Sequence, residues 1–205
     1  REFEQARVSV SLPSLRVNSF DVQLAREIVR VRKTGFTFAP EAGSERLRRV
    51  INKPIDRDSF LNIVEQVCQS GWRTLKLYFM IGLPAETEED LDAICRLTQE
   101  VVEIGRKYWK KQLKVNVSLA PFVPKPHTPF QWTAQLPMEE VQRRYEYVSS
   151  RLERSRHVSV KRHDPRLSWI EAVLARGDRR VSEVLLKAWQ AGAHFDGWAE
   201  HFNFD

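Results

Sequence analysis

Hydrophobic and polar positions alternate in blocks along this chain, and the most compact apolar block is Leu-Lys-Leu-Tyr-Phe-Met-Ile over 75–81. Such a run predicts a strand buried on both faces. It stops at Gly82-Leu83-Pro84, where glycine permits close backbone approach and proline ends the pairing. Thr87 then opens Thr-Glu-Glu-Asp, a capping-box-like helix start that sets acidic residues at the positive end of the helix dipole. Leu91, Ile94, Cys95, Thr98 and Val102 follow at helical spacing. The stretch 74–91 is therefore a strand, a tight loop and a capped helix. In parallel sheets that loop lies at the carboxyl end of the strand, where ligands bind.

The same succession recurs. Residues 8–17 read as a strand running into Leu12-Pro13, and Asn18-Ser19 start a helix with Val22, Ala25, Ile28 and Val29 on one face. Residues 35–40 form a second short strand ended by Pro40. Ser44 caps a short helix bearing Leu47, Val50 and Ile51. Asp56 starts a helix with Phe60, Ile63, Val64 and Val67 inward, stopped by Gly71 at C′. A further strand spans 113–120, with Val115, Val117 and Leu119 alternating. It runs into 121–129, a stiff loop with four prolines in nine residues. Pro137 opens a helix with Val141, Tyr145, Val148 and Leu152 inward, and from about 166 two or three helices follow. Strand, loop and helix thus repeat four times, the unit of a parallel α/β fold. A closed barrel needs eight such units, and no Gly-x-Gly-x-x-Gly follows any strand. The pattern fits a small open sheet or half of a barrel.

Composition narrows the picture. No run approaches the roughly 18 apolar residues of a membrane span, and a cytoplasmic location is expected. Two cysteines, Cys68 and Cys95, make neither a disulfide framework nor a four-thiolate site, and both read as small buried hydrophobes. Residues 151–180 hold nine basic and four acidic side chains, so +5 of the net +6 sits there. Charged helix faces around a buried Trp169, Val173 and Leu174 explain this stretch better than nucleic-acid binding. The chain begins with Arg rather than Met and is read as a fragment.

Taken together, the loops resemble the second half of the radical S-adenosylmethionine (SAM) enzymes. Ala39-Pro-Glu-Ala-Gly-Ser-Glu-Arg-Leu47 is similar to the loop after the fourth barrel strand in the methylthiotransferase-like branch. Met80-Ile-Gly-Leu-Pro-Ala-Glu-Thr-Glu-Glu-Asp90 is similar to the loop after the fifth, and Pro121-Phe-Val-Pro-Lys-Pro-His-Thr-Pro129 to the proline-rich end of the sixth. Leu12-Pro-Ser-Leu-Arg16 then falls at the end of the third. The tail resembles a group in which a cobalamin-binding-type domain precedes the barrel, so cobalamin is a candidate second cofactor in a full-length protein. The resemblance implies an α/β fold: a partial parallel (β/α) barrel, about strands 3–6, over 1–135, with a helical extension packing on it over 136–205.

The family holds a [4Fe–4S] cluster through Cys-x-x-x-Cys-x-x-Cys, and nothing here matches that triplet. The cluster ligands are therefore expected outside this chain, which alone is expected to be inactive. SAM is the implied small-molecule partner. Glu41 and Ser44 match positions that hydrogen-bond ribose or the amino acid portion; a solvated carboxylate and a helix cap are their simpler explanations. Ile81, Gly82 and Leu83 are implied contacts for adenine through backbone and an apolar face, and Leu119 through Val123, with Pro121 and Phe122, close the pocket from the other side. Arg16 pairs with a carboxylate of SAM or substrate, or makes a surface ion pair. Glu86 belongs to the helix start, and His127 to the surface. In the intact protein the resemblance implies reductive cleavage of SAM to a 5′-deoxyadenosyl radical acting on an unknown substrate. RNA is a candidate partner by analogy with methylthiotransferases, and a basic α/β module that binds RNA or protein without catalysis is the rival. A fragment of a barrel also predicts self-association across an exposed sheet edge.

Overall fold

The computed structural model describes residues 35–195, 197, 198, 200–202 and 204. The strand expected over 8–17, its helix and Arg16 lie outside the described residues. The elements run β1 (Phe36–Glu41), α1 (Glu45–Val50), α2 (Arg57–Gln69), β2 (Thr74–Ile81), α3 (Glu88–Trp109), β3 (Lys114–Pro121), α4 (Met138–Leu152), β4 (Val158–Arg162), α5 (Pro165–Arg176) and α6 (Val181–Gln190). The sheet order is β1-β2-β3-β4, and every pairing is parallel. Parallel neighbours joined in sequence by right-handed crossovers put all their helices on one face. That is the wall of a (β/α) barrel rather than a doubly wound sheet. The expected α/β architecture, consistent with part of a radical SAM barrel, is present.

Helix starts follow the local chemistry read from the sequence. Asp56 accepts from Ser59 N at 2.8 Å to cap α2, and Ser44 Oγ accepts from Leu47 N at 3.0 Å to cap α1. Gly71, at φ 104°, ends α2 in the left-handed conformation that glycine adopts without penalty. On the helix-covered face Leu75, Leu77, Phe79 and Ile81 of β2 and Val115, Val117 and Leu119 of β3 meet Val64, Val67, Leu97, Val101 and Val148 in one core.

Several expectations change. The strand β2 is not buried on both faces: Lys76, Tyr78 and Met80 alternate onto the other side, and Tyr78 is 39% exposed. The apolar tyrosine and methionine hid a period of two. A strand unread in the sequence, β4, follows α4, so a boundary at 135/136 would cut the β3–α4–β4 crossover, and the region beyond 136 is not wholly helical. Val158-Ser-Val-Lys-Arg162 is short and carries only two apolar residues, as suits an outer strand whose charges blunt further pairing. Trp169, Val173 and Leu174 are not buried but 43–48% exposed, because α5 buries only Ser168 and Ala172 and α6 buries nothing. Val50 is also exposed, at the end of α1. No helix among the described residues is long and apolar enough to cross a membrane.

Candidate functional site

The three motif-bearing loops lie at the carboxyl ends of β1, β2 and β3, side by side in the sheet. Phe122 N donates to Ile81 O at 2.8 Å, which continues the β2–β3 ladder beyond its last pair. Ala42, Leu47 and Leu83 form a small buried cluster, with Met80 and Phe122 packed against it. Residues from three strand ends thus share one apolar patch, separate from the main core. Phe122 also meets Phe130 edge to face, with centroids 6.0 Å apart.

The loop after β1 is fixed from both sides. Arg48 is 1% exposed and spends its guanidinium on carbonyls, donating to Ala42 O at 3.0 Å, Gly43 O at 2.9 Å and Ile55 O at 3.0 Å. Burial lowers its pKa from the ordinary value, which Glu45 and Asp56 partly offset. Gly43 lies against α3, where a Cβ would come within 2.2 Å of the Ile94 backbone nitrogen. No side chain fits that approach. The Ser44 hydroxyl donates to Asp90, which also accepts from Thr87 N and Thr87 Oγ1 at 2.8 Å and pairs with Arg46. Burial pushes the Asp90 carboxyl up, but the hydrogen bonds from Ser44, Thr87 and Arg46 outweigh it and leave the pKa below the ordinary value.

The loop after β2 folds around a carboxylate. Glu86 does not merely begin the helix. Its side chain is 1% exposed, and Oε1 accepts from Gly82 N at 2.9 Å and from Arg144 at 2.5 Å. Its Oε2 makes no hydrogen bond among the described residues. Burial raises its pKa, against the hydrogen bonds from Gly82 and Arg144. Gly82 sits at φ 83°, and the space a side chain would take is filled by Leu136, whose Cδ1 would lie 2.7 Å from a Cβ. The proline-rich connection therefore returns over the end of β2. The Gly82 carbonyl makes no hydrogen bond among the described residues.

Beneath these loops the face of the sheet turned away from the helices forms a concavity of about 700 Å³, lined by Glu41, Lys76, Tyr78, Met80, Ser118 and Lys161 among others. Glu41 stands at the strand end with φ 65°, beside a register shift in the β1–β2 ladder, and pairs with Lys53 at 2.9 Å. Left-handed backbone at a non-glycine residue is strain of the kind that collects at functional sites. His163, which follows β4, sets its Nε2 3.3 Å from Ser118 Oγ.

The structure divides the residues read from the sequence. Glu41 lines the concavity. Ile81, Gly82, Leu83, Pro121 and Phe122 follow its lining residues Met80 and Ala120 at the strand ends but do not line it themselves, and the Ile81 side chain is wholly buried in the main core, which leaves only its backbone. Ser44 does not join them: it caps α1, binds Asp90 and lines a smaller pocket beside α3. His127 is exposed, as expected. The reading missed Asp90, Arg48 and the polar lining. The lining had a signal in the alternation of Lys76, Tyr78 and Met80, whereas Arg48 had none, since its partners are backbone carbonyls.

The cysteines do not suit a cluster. Cys68 is buried in α2 and Cys95 half-buried in α3, and burial pushes their thiols up to about 12 and about 11. Ligation needs thiolates. Among the described residues no group of His, Cys, Asp and Glu could hold a metal ion. Part of the basic stretch is paired locally: Arg151 lies 3.6 Å from the Tyr147 ring centroid, Arg162 donates to Ser149, and Arg166 and Arg180 bind Asp164 and Asp178.

Comparison with known proteins agrees with this geometry. The chain is 33% identical over 183 residues to an uncharacterized protein of Methanocaldococcus jannaschii, an alignment covering 87% of this chain and 37% of that relative. The chain thus spans well under half the length of the protein it is similar to. Residues 2–98, which include β1, β2 and both of their carboxyl-end loops, match the radical SAM superfamily.

Proposed function

We propose that this chain supplies a SAM-binding wall of a radical SAM barrel. The observation that carries the reading is the convergence of three strand ends on one rim, with the strained, cavity-lining Glu41 beside the patch of Ala42, Leu83 and Phe122. The residues fit SAM chemically. The Glu41 carboxylate accepts hydrogen bonds from a ribose diol, and the unpartnered Gly82 carbonyl accepts from the adenine amine. Leu83, Pro121 and Phe122 give an apolar edge for the ring. Ile81 contributes backbone only. Ser44 acts through the loop it ties to Asp90, and Arg16 is assigned to a carboxylate of SAM or substrate.

The [4Fe–4S] cluster is a different matter. Its ligands would have to come from outside this chain, and with them the reductive cleavage of SAM to methionine and a 5′-deoxyadenosyl radical. This chain's share is to bind and orient SAM and to exclude water around it. The natural polypeptide carrying these residues, reconstituted anaerobically with iron and sulfide and given SAM and a reductant, is expected to form 5′-deoxyadenosine. Glu41→Gln and Phe122→Ala should each raise the KM for SAM, Glu41→Gln by about tenfold, as for loss of one charge-assisted hydrogen bond. Turnover with an unchanged KM in both variants would contradict the assignment.

A further inference from the structure

The concavity carries a charge pattern that SAM recognition at the rim does not use. Lys76 stands on β2, a strand paired on both sides, and points to the face turned away from the helices together with Tyr78. Lys161 stands on β4 and lines the same concavity. Neither makes an ion pair or side-chain hydrogen bond among the described residues. The one carboxylate in the lining, Glu41, pairs through Oε1 with Lys53 and with neither of these lysines.

Register fixes where the two lysines lie. Lys76 is level with Asn116, and Asn116 with Ser159; Lys161 is two residues further along β4, level with Ser118. Two strand spacings and two residues of rise separate their Cα atoms by about 12 Å. Asn116 and Ser118, both lining residues, lie between them on β3. Two long, flexible ammonium side chains therefore flank an amide and a hydroxyl on one concave surface. A lysine on an outer strand is a common device against further pairing, which accounts for Lys161 alone. It does not account for Lys76, which has a strand on each side. Two unneutralised cations sharing one concavity repel each other and cost stability, unless an anion joins them.

We propose that the inner face of this sheet binds a small anionic molecule, by a carboxylate or phosphate group held between Lys76 and Lys161 with Asn116 and Ser118 as hydrogen-bonding partners. The proposal rests on reading the concavity as the barrel interior and names the chemistry of a ligand whose anionic end would lie there, below SAM. The volume lies within the range of small-molecule pockets and below what a folded polynucleotide needs. Lys76 lies about 20 Å down β2 from Gly82, by the rise per residue of a strand. That distance separates this subsite from the rim.

The test is calorimetric titration of the natural polypeptide at low ionic strength with inorganic phosphate and with succinate as probes, and separately with SAM. At least one anion should bind. Binding of phosphate alone assigns a phosphorylated ligand, and of succinate alone a carboxylate. Lys76→Gln and Lys161→Gln should each weaken the anion about tenfold, and the double variant should abolish it. Lys→Arg at either position, which keeps the charge, should retain binding, as should Lys187→Gln on α6. Failure of both anions to bind, or equal binding by the double glutamine variant, overturns the proposal. So does weakening of SAM in step with the anion, since SAM's own carboxylate would then be the group held. Loss of SAM binding with the anion retained would count against the SAM reading instead.

Discussion

Ser44 and Asp90, 46 positions apart, are joined by a hydrogen bond from the serine hydroxyl to the aspartate carboxylate, and this bond ties the loop after β1 to the helix after β2. Each residue has a local duty as well, since Ser44 caps α1 and Asp90 closes the start of α3 against Thr87. Two of the three loops that form the proposed rim are thus joined by this pair. Ser44→Ala removes the cap and one of Asp90's donors together, and should lower stability by about 1–2 kcal/mol in denaturant unfolding. A double-mutant cycle with Asp90→Asn should show a coupling of at least about 0.5 kcal/mol. Additive effects would mean that the loops are held independently.

Asp90 also predicts behaviour in acid. Its folded pKa is depressed below the ordinary 3.8, so its stabilisation is present above that value and is lost as pH falls through the folded pKa. Melting temperatures of the wild type should drop more steeply below about pH 3.8 than those of Asp90→Asn.

Glu86 carries the opposite sign. Burial raises its pKa above the ordinary 4.5, so its contribution is fully present below 4.5 and declines as pH rises through the folded pKa. Glu86→Gln removes that decline. The stability difference between wild type and Glu86→Gln should therefore shrink or reverse as pH rises above 4.5, measured by thermal melts across that range. A constant difference would assign Glu86 no titration linked to folding.

Arg48 is a buried cation whose hydrogen-bond partners are all backbone carbonyls. Arg48→Met keeps much of the volume but strands the carbonyls of Ala42, Gly43 and Ile55. It should cost about 2–4 kcal/mol in equilibrium unfolding and loosen the loop that carries Glu41's neighbours, seen as faster amide exchange at 42–44.

Much of the frame was legible because its signals are local. Asp56, Ser44, Thr87 and Gly71 each announce a helix end through the chemistry of one or two neighbouring peptide groups, and the structure has those ends. The loops at the strand ends were legible for the same reason. What was lost depends on partners far away in sequence. Tyr78 and Met80 count as apolar in a sliding window, so β2 read as buried throughout, while its inner face is the wall of the concavity. The strand β4 has too few apolar residues to declare itself and is held by its neighbour β3. Trp169 and Leu174 look like core residues by type, and only the packing of α5 shows that they are not. Ser44 was weighed as a ligand and as a cap; its place depends on Asp90, which no local pattern around Ser44 contains.

The carboxyl ends of β1, β2 and β3 are the proposed seat of SAM. Hydrogen–deuterium exchange of the natural polypeptide with and without SAM tests it without relying on any variant or on turnover. SAM should slow exchange in peptides covering 39–44, 80–85 and 119–124, and leave α6 unchanged. Protection confined to the helices beyond 165, or none in any of the three loops at saturating SAM, would contradict the claim.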